Sequence, residues 1–376
     1  MSFFVNPYVY AGITYNITSS AGSNGTISPN GVTAVPSGSS QAYTMTPSAN
    51  YILASVTVDG GAAAVSSPYT FSAVAATHTI SCTFSSLLYA LFGGGGQGGG
   101  NTATTNKYTY SDSTLYSGTD LTNSVWSFSA CGNSTVGIFA GGLPSTAVTS
   151  KYTYASDAVA SGTALNAEKS YHAAAGNSTV GIFGGGRNSS ATVVDTTKKY
   201  TYSGDTSDNG TALSAVKAQL AATSTATVGY FGGGTASDPF PNATLSKYTF
   251  SGDTVATGTT LFNSSTGVYL AASGNTTKGI FSGGYDDTAT NTNLTSKYTY
   301  SGDTTAAGHN LGTARDEHGA AGNTTVGIHG GGENSSGTRI SSTEEYTYSG
   351  DTVASGTALS SARSGPAAVS SVTGGF

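Results

Sequence analysis

Charge is scarce in this chain: Asp, Glu, Lys and Arg together make up 9% of 376 residues, where about 25% is usual for a soluble globular domain. The 13 Lys and Arg are thinly spread and the net charge is −6. No basic stripe exists to neutralise phosphates, which excludes the electrostatic footprint of a nucleic-acid binder. Long apolar runs are also missing. The longest, Leu87 to Phe92, is far short of the roughly 20 residues a helix needs to cross a bilayer, so no membrane insertion by a helix is expected. Cysteine is nearly absent: Cys82 and Cys131 form neither a disulfide framework nor a C-x-x-C metal spacing, and are expected as small buried hydrophobes. At the N-terminus, Ser2 to Pro7 lacks the positive region and the long apolar core of a secretory leader, so no export signal is expected.

What replaces these residues is Gly (53), Tyr (23) and many Ser, Thr, Ala and Asn. β-branched and aromatic residues suit pleated strands, and Gly, Asn and Asp suit the turns between them. The composition excludes an all-α protein and predicts an all-β one.

Self-similarity is the strongest signal. The tetrad Lys-Tyr-Thr-Tyr, with small variation, opens at Lys107, Lys151, Lys199, Lys247, Lys297 and Glu345, spaced 44, 48, 48, 50 and 48 residues apart. An apolar pair running into glycines recurs as Leu91-Phe92-Gly93-Gly94, Ile138-Phe139-Ala140-Gly141, Ile182-Phe183-Gly184-Gly185, Tyr230-Phe231-Gly232-Gly233, Ile280-Phe281-Ser282-Gly283 and Ile328-His329-Gly330-Gly331. One period reads as four short strands: a small-residue strand such as Ala173-Ala174-Ala175, the apolar strand, the Tyr-Thr-Tyr strand, and a Leu-bearing strand. Four strands at this period are the signature of propeller blades. The first period lacks its own small-residue strand, and Pro366 to Val369 is expected to fill the gap by pairing with Leu88 to Phe92. The surplus Val372 to Phe376 is left as an edge strand, a subunit contact or an incomplete seventh blade.

These residues resemble the kelch family of β-propellers, with Lys169, His172, Ile182 to Gly185 and Tyr200 matching its pattern. The Trp of the kelch outer strand is replaced by Leu121, Leu165, Leu213, Leu261, Leu311 and Leu359. The Tyr-Thr-Tyr-Ser-Gly-Asp-Thr wording is also similar to repeats in virion proteins of tailed bacteriophages. Residues 13–86 contain no Lys or Arg, and Asp59-Gly60 after Val56-Thr57-Val58 signals a hairpin. From Ile17 to Phe84 this segment resembles the internalin B-repeat-like modules of bacterial surface proteins, which implies a small β domain serving as spacer or adhesive module. The expected architecture is an aromatic N-terminal arm (1–12), a small N-terminal β module (13–86) and a six-bladed kelch-like β-propeller (87–376). The arm is read either as docking into another protein or as folding back on its own module.

Candidate chemistry is sparse. His309, His318 and His329 fall in one stretch with Asp316 and Glu317, but at no ligand spacing; His172 and His318 occupy equivalent repeat positions. Asp286-Asp287 with Asn291 and Asn293 makes a loose calcium-loop pattern of low specificity. Asp112, Asp157, Asp205, Asp253, Asp303 and Asp351 recur in turns and are expected to cap backbone N–H groups. Asn133, Asn177 and Asn323 sit in Asn-x-Ser/Thr triplets and are read as turn residues. Gly93 to Gly100, interrupted by Gln97, lacks the Lys-Ser/Thr of a phosphate loop. No catalytic, cofactor or metal residues are assigned, and a kelch-type copper oxidase would need a tyrosine partner for Cys131.

The resemblance, the composition and the missing export signal together predict a non-enzymatic virion protein, assembled in the host cytoplasm and released by lysis. It would sit in a tail fibre, baseplate or capsid decoration, contact other virion proteins through its arm, bind a host surface glycan or protein, and form a homo-oligomer. Binding is expected in the loops after the Gly-Gly strands, through Arg187, Asn188, Asp238, Phe240, Tyr285, Asp286, Asp287, Glu333 and Asn334. The alternatives are a bacterial surface adhesin or spacer, and a polysaccharide depolymerase, which non-repeat carboxylates and aromatics gathered on one face would favour.

Overall fold

A computed structural model describes residues 12–48, 51–237, 240–262 and 266–372. The expected arm, the end of the surplus C-terminal strand and Asp238 therefore lie outside the described residues, as does the side chain of Phe240. The chain forms two compact units, residues 1–87 and 88–376, and every regular element among the described residues is a strand.

In the first unit, Thr14–Ala21 pairs antiparallel with Gly31–Pro36 and parallel with His78–Ser86, which also pairs with Tyr51–Val58. A second sheet joins Gly25–Ser28, Gln41–Pro47 and Tyr69–Phe71. Alternate residues turn inward, so that Ile17, Ile27, Val35, Tyr43, Met45, Val56, Phe71 and Ile80 build one core with Cys82. The Asp59-Gly60 hairpin is present, with Val58 opposite Gly61 and positive φ at both turn residues, the requirement of a two-residue turn that follows strand twist. Asp59 also accepts hydrogen bonds from Thr79 N and, at 2.7 Å, from His78 Nδ1.

The second unit contains six antiparallel sheets of the repeat. In the second sheet, Ser129–Gly132, Val136–Ala140, Thr149–Thr153 and Ala158–Gly162 lie in sequence order. The third (173–210), fourth (218–260), fifth (271–307) and sixth (319–355) repeat this order, the fourth gaining the short strand Phe240–Pro241. The first sheet is different: Leu115–Gly118, Thr105–Thr109 and Tyr89–Gly93 are completed by Ala367–Ser370 from the C-terminal end, with Ala367 opposite Gly93 and Ser370 opposite Ala90. The strand expected to fill the gap does so.

The repeated residues explain the packing. The first Tyr of five tetrads lies opposite a glycine of the apolar strand, as in Gly181↔Tyr200 and Gly279↔Tyr298, while Tyr108 of the first lies opposite Ala90, and all six tyrosines are completely buried. The same glycines admit the preceding sheet. A methyl group on Gly181 would lie 2.2 Å from Cys131 Sγ, and one on Gly327 2.1 Å from Ser273 Oγ, closer than real carbon contacts allow. The six leucines standing in the kelch Trp region are all buried.

The turn aspartates do more than cap their own turns. Asp157 accepts Lys107 Nζ at 2.8 Å and Thr119 N, both from the preceding sheet; Asp205, Asp303 and Asp351 pair likewise with Lys151, Lys247 and Lys297. Asp112 departs from this pattern. It stands five rather than six residues after its lysine and caps Thr114 N, while Ser113 occupies the position of the other aspartates, with φ +55° against +52° at Asp157. Asn133, Asn177 and Asn323 accept N–H groups two and three residues on. The amide groups of Asn133 and Asn177 also donate to the next sheet, to Ser178 O and Ala226 O.

Candidate functional site

Just before the small-residue strand of each sheet, or within its first two residues in the fourth, the backbone enters the left-handed region, at Ser127, Tyr171, Gln219, Tyr269, Glu317 and Gly365, with φ between +47° and +60°. For side chains other than glycine this conformation costs about 1 kcal/mol or more. Hydrogen bonds between neighbouring segments hold it in place: Tyr171 N donates to Ser127 O, Gln219 N to Tyr171 O, Tyr269 N to Gln219 O, Glu317 N to Tyr269 O and Gly365 N to Glu317 O, at 2.7 to 3.0 Å. All six residues border one cavity of about 80 Å³, whose deeper wall is Phe128, His172, Leu220, Leu270, His318 and Pro366. Below it, alanines and glycines of all six innermost strands line a narrower space of about 40 Å³.

Rings crowd the mouth of the cavity. Tyr171 meets Trp126 at 6.0 Å and Tyr269 at 5.8 Å, and Tyr269 meets Tyr285 at 5.4 Å, all edge to face. The Arg187 guanidinium lies 5.7 Å from the Tyr171 ring centre, a cation–π contact. Gln219 Nε2 donates to Tyr269 Oη at 2.7 Å.

Three carboxyl groups gather on one side. Asp316 pairs with Glu333 across a short two-stranded ladder, and Glu317 follows Asp316 at the mouth. Burial pushes Glu317 up to about 8, and the negative charges of Asp316 and Glu333 add to the shift. Burial likewise pushes Asp316 up to about 6, against the hydrogen bonds of Tyr285 and Asn291 that favour its charged form. Arg339 Nε lies 3.3 Å from Glu333 and lowers Glu317 slightly. His172 and His318 beneath are held neutral by burial.

The loop residues expected to bind divide in two. Arg187, Tyr285 and Glu333, each directly after a Gly-Gly pair, stand behind the cavity's border: Arg187 lies over Tyr171, Tyr285 against Tyr269 and Glu333 opposite Asp316. Asn188, Asp286 and Asn334, each one position on, face back into their own hairpins: their side-chain oxygens accept from Ser190 N and Thr192 N, from Thr288 N and Thr290 N, and from Ser336 N and Thr338 N. That capping occupies the groups the sequence offered to a ligand. Asp287 is exposed in its loop, and Phe240 pairs with Ser237 in the extension of the fourth sheet. The calcium-loop pattern does not converge. Asp286 is used as a cap, and Asn291 and Asn293 turn their amide groups to Asp316 and Leu311 O.

His318 and His329 lie 5.6 Å apart, both hydrogen-bonded to Ser282, while His309 is exposed and bonds Asn310 O. No group of three His, Cys, Asp or Glu side chains suited to a metal is found among the described residues. Cys131 does have a tyrosine neighbour, Tyr202, and burial pushes its thiol up to about 12. Sequence reasoning names Glu317 only beside the three histidines and misses Tyr171, Gln219 and Tyr269, which border the same cavity.

No protein-family model matches this chain, and no curated protein matches it in sequence.

Proposed function

We propose that the six sheets are the blades of a closed, kelch-like six-bladed propeller and that the protein is an adhesive component of a tailed-bacteriophage virion, binding a host surface glycan at the mouth between its blades. One cavity bordered by Tyr171, Gln219, Tyr269 and Glu317, with Arg187 over Tyr171 and Tyr285 against Tyr269, carries the binding assignment. Aromatic rings beside a few convergent polar groups are the usual composition of a small-molecule site. Closure is supported by one cavity bordered by all six innermost strands and by bonds from the last sheet to the first, among them Tyr108 to Glu345. The virion assignment rests on the wording of the repeats and on the charge-poor, Ser/Thr/Gly-rich composition.

The test combines mass spectrometry of purified phage particles with binding of the isolated protein to an array of surface glycans. Presence in particles and binding that Tyr269→Ala abolishes are expected. Absence from particles transfers the binding site to a bacterial surface adhesin, and no binding to any glycan removes the ligand class.

One observation favours a second reading, polysaccharide cleavage. Glu317 and Asp316 are carboxyl groups of different acidity beside Glu333, and a protonated and an ionised carboxyl side by side are the parts of acid–base glycoside hydrolysis. New reducing ends released from a bound polysaccharide, and lost in Glu317→Gln, would establish turnover in place of simple adhesion.

A further inference from the structure

We propose that the cavity bordered by Tyr171, Gln219, Tyr269 and Glu317 is a subsite for a protonated amino sugar, its ammonium group held by Glu317 and Gln219 Oε1 and its ring laid against the tyrosines. This rests on the glycan-binding reading above and adds the chemical class of the sugar recognised.

The site is rich in acceptors and short of donors. Gln219 is 5% exposed. Its Nε2 is committed to Tyr269 Oη, while its Oε1 has no hydrogen-bond partner among the described residues. A buried amide oxygen left in this state costs about 1–3 kcal/mol, and a ligand N–H would recover it. Glu317 adds a carboxyl acceptor to the cavity wall, and the Asp316–Glu333 pair stands behind it.

Charge points the same way. The three carboxyl groups face one guanidinium at Glu333, that of Arg339, and a second, Arg187, that lies over Tyr171. The two histidines beneath contribute no positive charge, and the phenols of Tyr171 and Tyr285 stay protonated because burial raises both. The upward displacement of Glu317 and Asp316 is what carboxylates show when burial and neighbouring negative charge are only partly compensated. A cation seated beside Glu317 supplies the missing compensation.

Size and shape select the carrier. About 80 Å³ accommodates an ammonium group and the carbon that bears it, with the remainder of the ligand kept at the mouth. There the row Trp126, Tyr171, Tyr269 and Tyr285, spaced 5.4 to 6.0 Å, suits a flat-sided pyranose better than a thin alkyl chain. N-acetylation removes the charge and sets a carbonyl oxygen against the carboxyl groups, so a free amine is required.

The experiment is titration calorimetry at pH 6 with four probes of equal length: tetramers of glucosamine, N-acetylglucosamine and glucose, and tetralysine. The glucosamine tetramer should bind at least tenfold more tightly than the other three. Glu317→Gln, and separately Gln219→Met, should weaken it at least tenfold without lowering Tm, while Glu168→Gln, at an exposed site outside the cavity, should leave it unchanged. Equal binding of the acetylated or neutral tetramer overturns the amine assignment and leaves glycan binding standing. Preference for tetralysine overturns the sugar assignment in favour of a protein amine. Binding that neither cavity variant affects overturns the location, and binding of none of the sugars overturns both this inference and the reading beneath it.

Discussion

Glu345 accepts a hydrogen bond from Tyr108 Oη at 2.6 Å, where the sixth sheet meets the first. The same carboxylate accepts Ser113 Oγ. At the equivalent place between other sheets a lysine meets an aspartate, as in Lys107–Asp157 at 2.8 Å and Lys151–Asp205 at 3.6 Å. The last junction inverts this chemistry: the acid sits on the sixth sheet, and hydroxyl donors sit on the first.

That inversion predicts a double-mutant result. Glu345→Lys removes the acceptor and sets an ammonium before Ser113, at an expected cost of about 1.5–3 kcal/mol, the range for a hydrogen bond to a charged group. Ser113→Asp alone sets two carboxylates together and should also destabilise. The double variant recreates the Lys–Asp pair and should recover most of the loss, giving a coupling energy on the order of 1 kcal/mol in chemical denaturation. Strict additivity would mean that these positions do not meet.

The repeat made much of this architecture legible. Gly-Gly marks located the ends of apolar strands, and counting strands located Ala367–Ser370 beside Tyr89–Gly93. The Lys–Asp pairs were not legible, because each joins residues 50 to 56 positions apart in different periods. A five-residue offset at Asp112 against six elsewhere was the one visible sign that Ser113 takes the seam position. The mouth was harder still. Ser127, Tyr171, Gln219, Tyr269, Glu317 and Gly365 share a place and a backbone conformation but not one residue type, so they leave no repeat signature. In the loops the sign of capping was present: Asn188, Asp286 and Asn334 are each followed two residues on by Ser or Thr, the pattern of a capped turn.

Packing between sheets gives a second prediction. Gly181→Ala places a methyl group 2.2 Å from Cys131 Sγ and 2.9 Å from Tyr202 Oη. Overpacking of this kind costs typically about 1–3 kcal/mol. Adding Cys131→Ala removes the nearer clash and should restore part of the stability, with the Tyr202 contact retaining the remainder. Thermal denaturation of the three variants tests this, and a Gly181→Ala protein as stable as the parent would contradict the interlocking of the second and third sheets.

Glu317 gives a pH dependence. Its carboxyl is raised from 4.5 to about 8 in the folded protein, so between these values the folded state holds a proton that the unfolded state has released. Stability from this group is therefore present below about pH 4.5 and lost as pH rises toward 8. Asp316, raised to about 6, acts in the same direction over a lower window. Glu317→Gln cannot ionise and should match the parent near pH 4.5 but exceed its stability at pH 8. Parallel stability curves across this range would show that the carboxyl is not buried against Asp316 and Glu333.

Arg363 supplies the last prediction. It is completely buried, and it donates to Gly94 O, Thr104 O and Asn106 Oδ1, at 3.3, 2.8 and 2.9 Å. In the sixth sheet Arg315 does the same work on Gly331 O and Ser342 O, with Glu344 as its carboxylate partner. Lys169 does it on Gly185 O and Thr196 O in the third. Each cation thus ties the Gly-Gly bend to the start of the Tyr-Thr-Tyr strand, but Arg363 reaches its carbonyls from the opposite end of the chain. Arg363→Met leaves these buried acceptors short of a donor, at about 1–3 kcal/mol for each group left unpaired. The loss should also be local, because the strand that Arg363 anchors completes only the first sheet. Hydrogen exchange should accelerate first at Leu91, Gly93 and Ala367 to Ser370, while the strands of the third to fifth sheets keep their protection. Uniform loss of protection across all six sheets would instead mean that the first sheet opens only with the whole unit, and the separate anchoring role of Arg363 would fall.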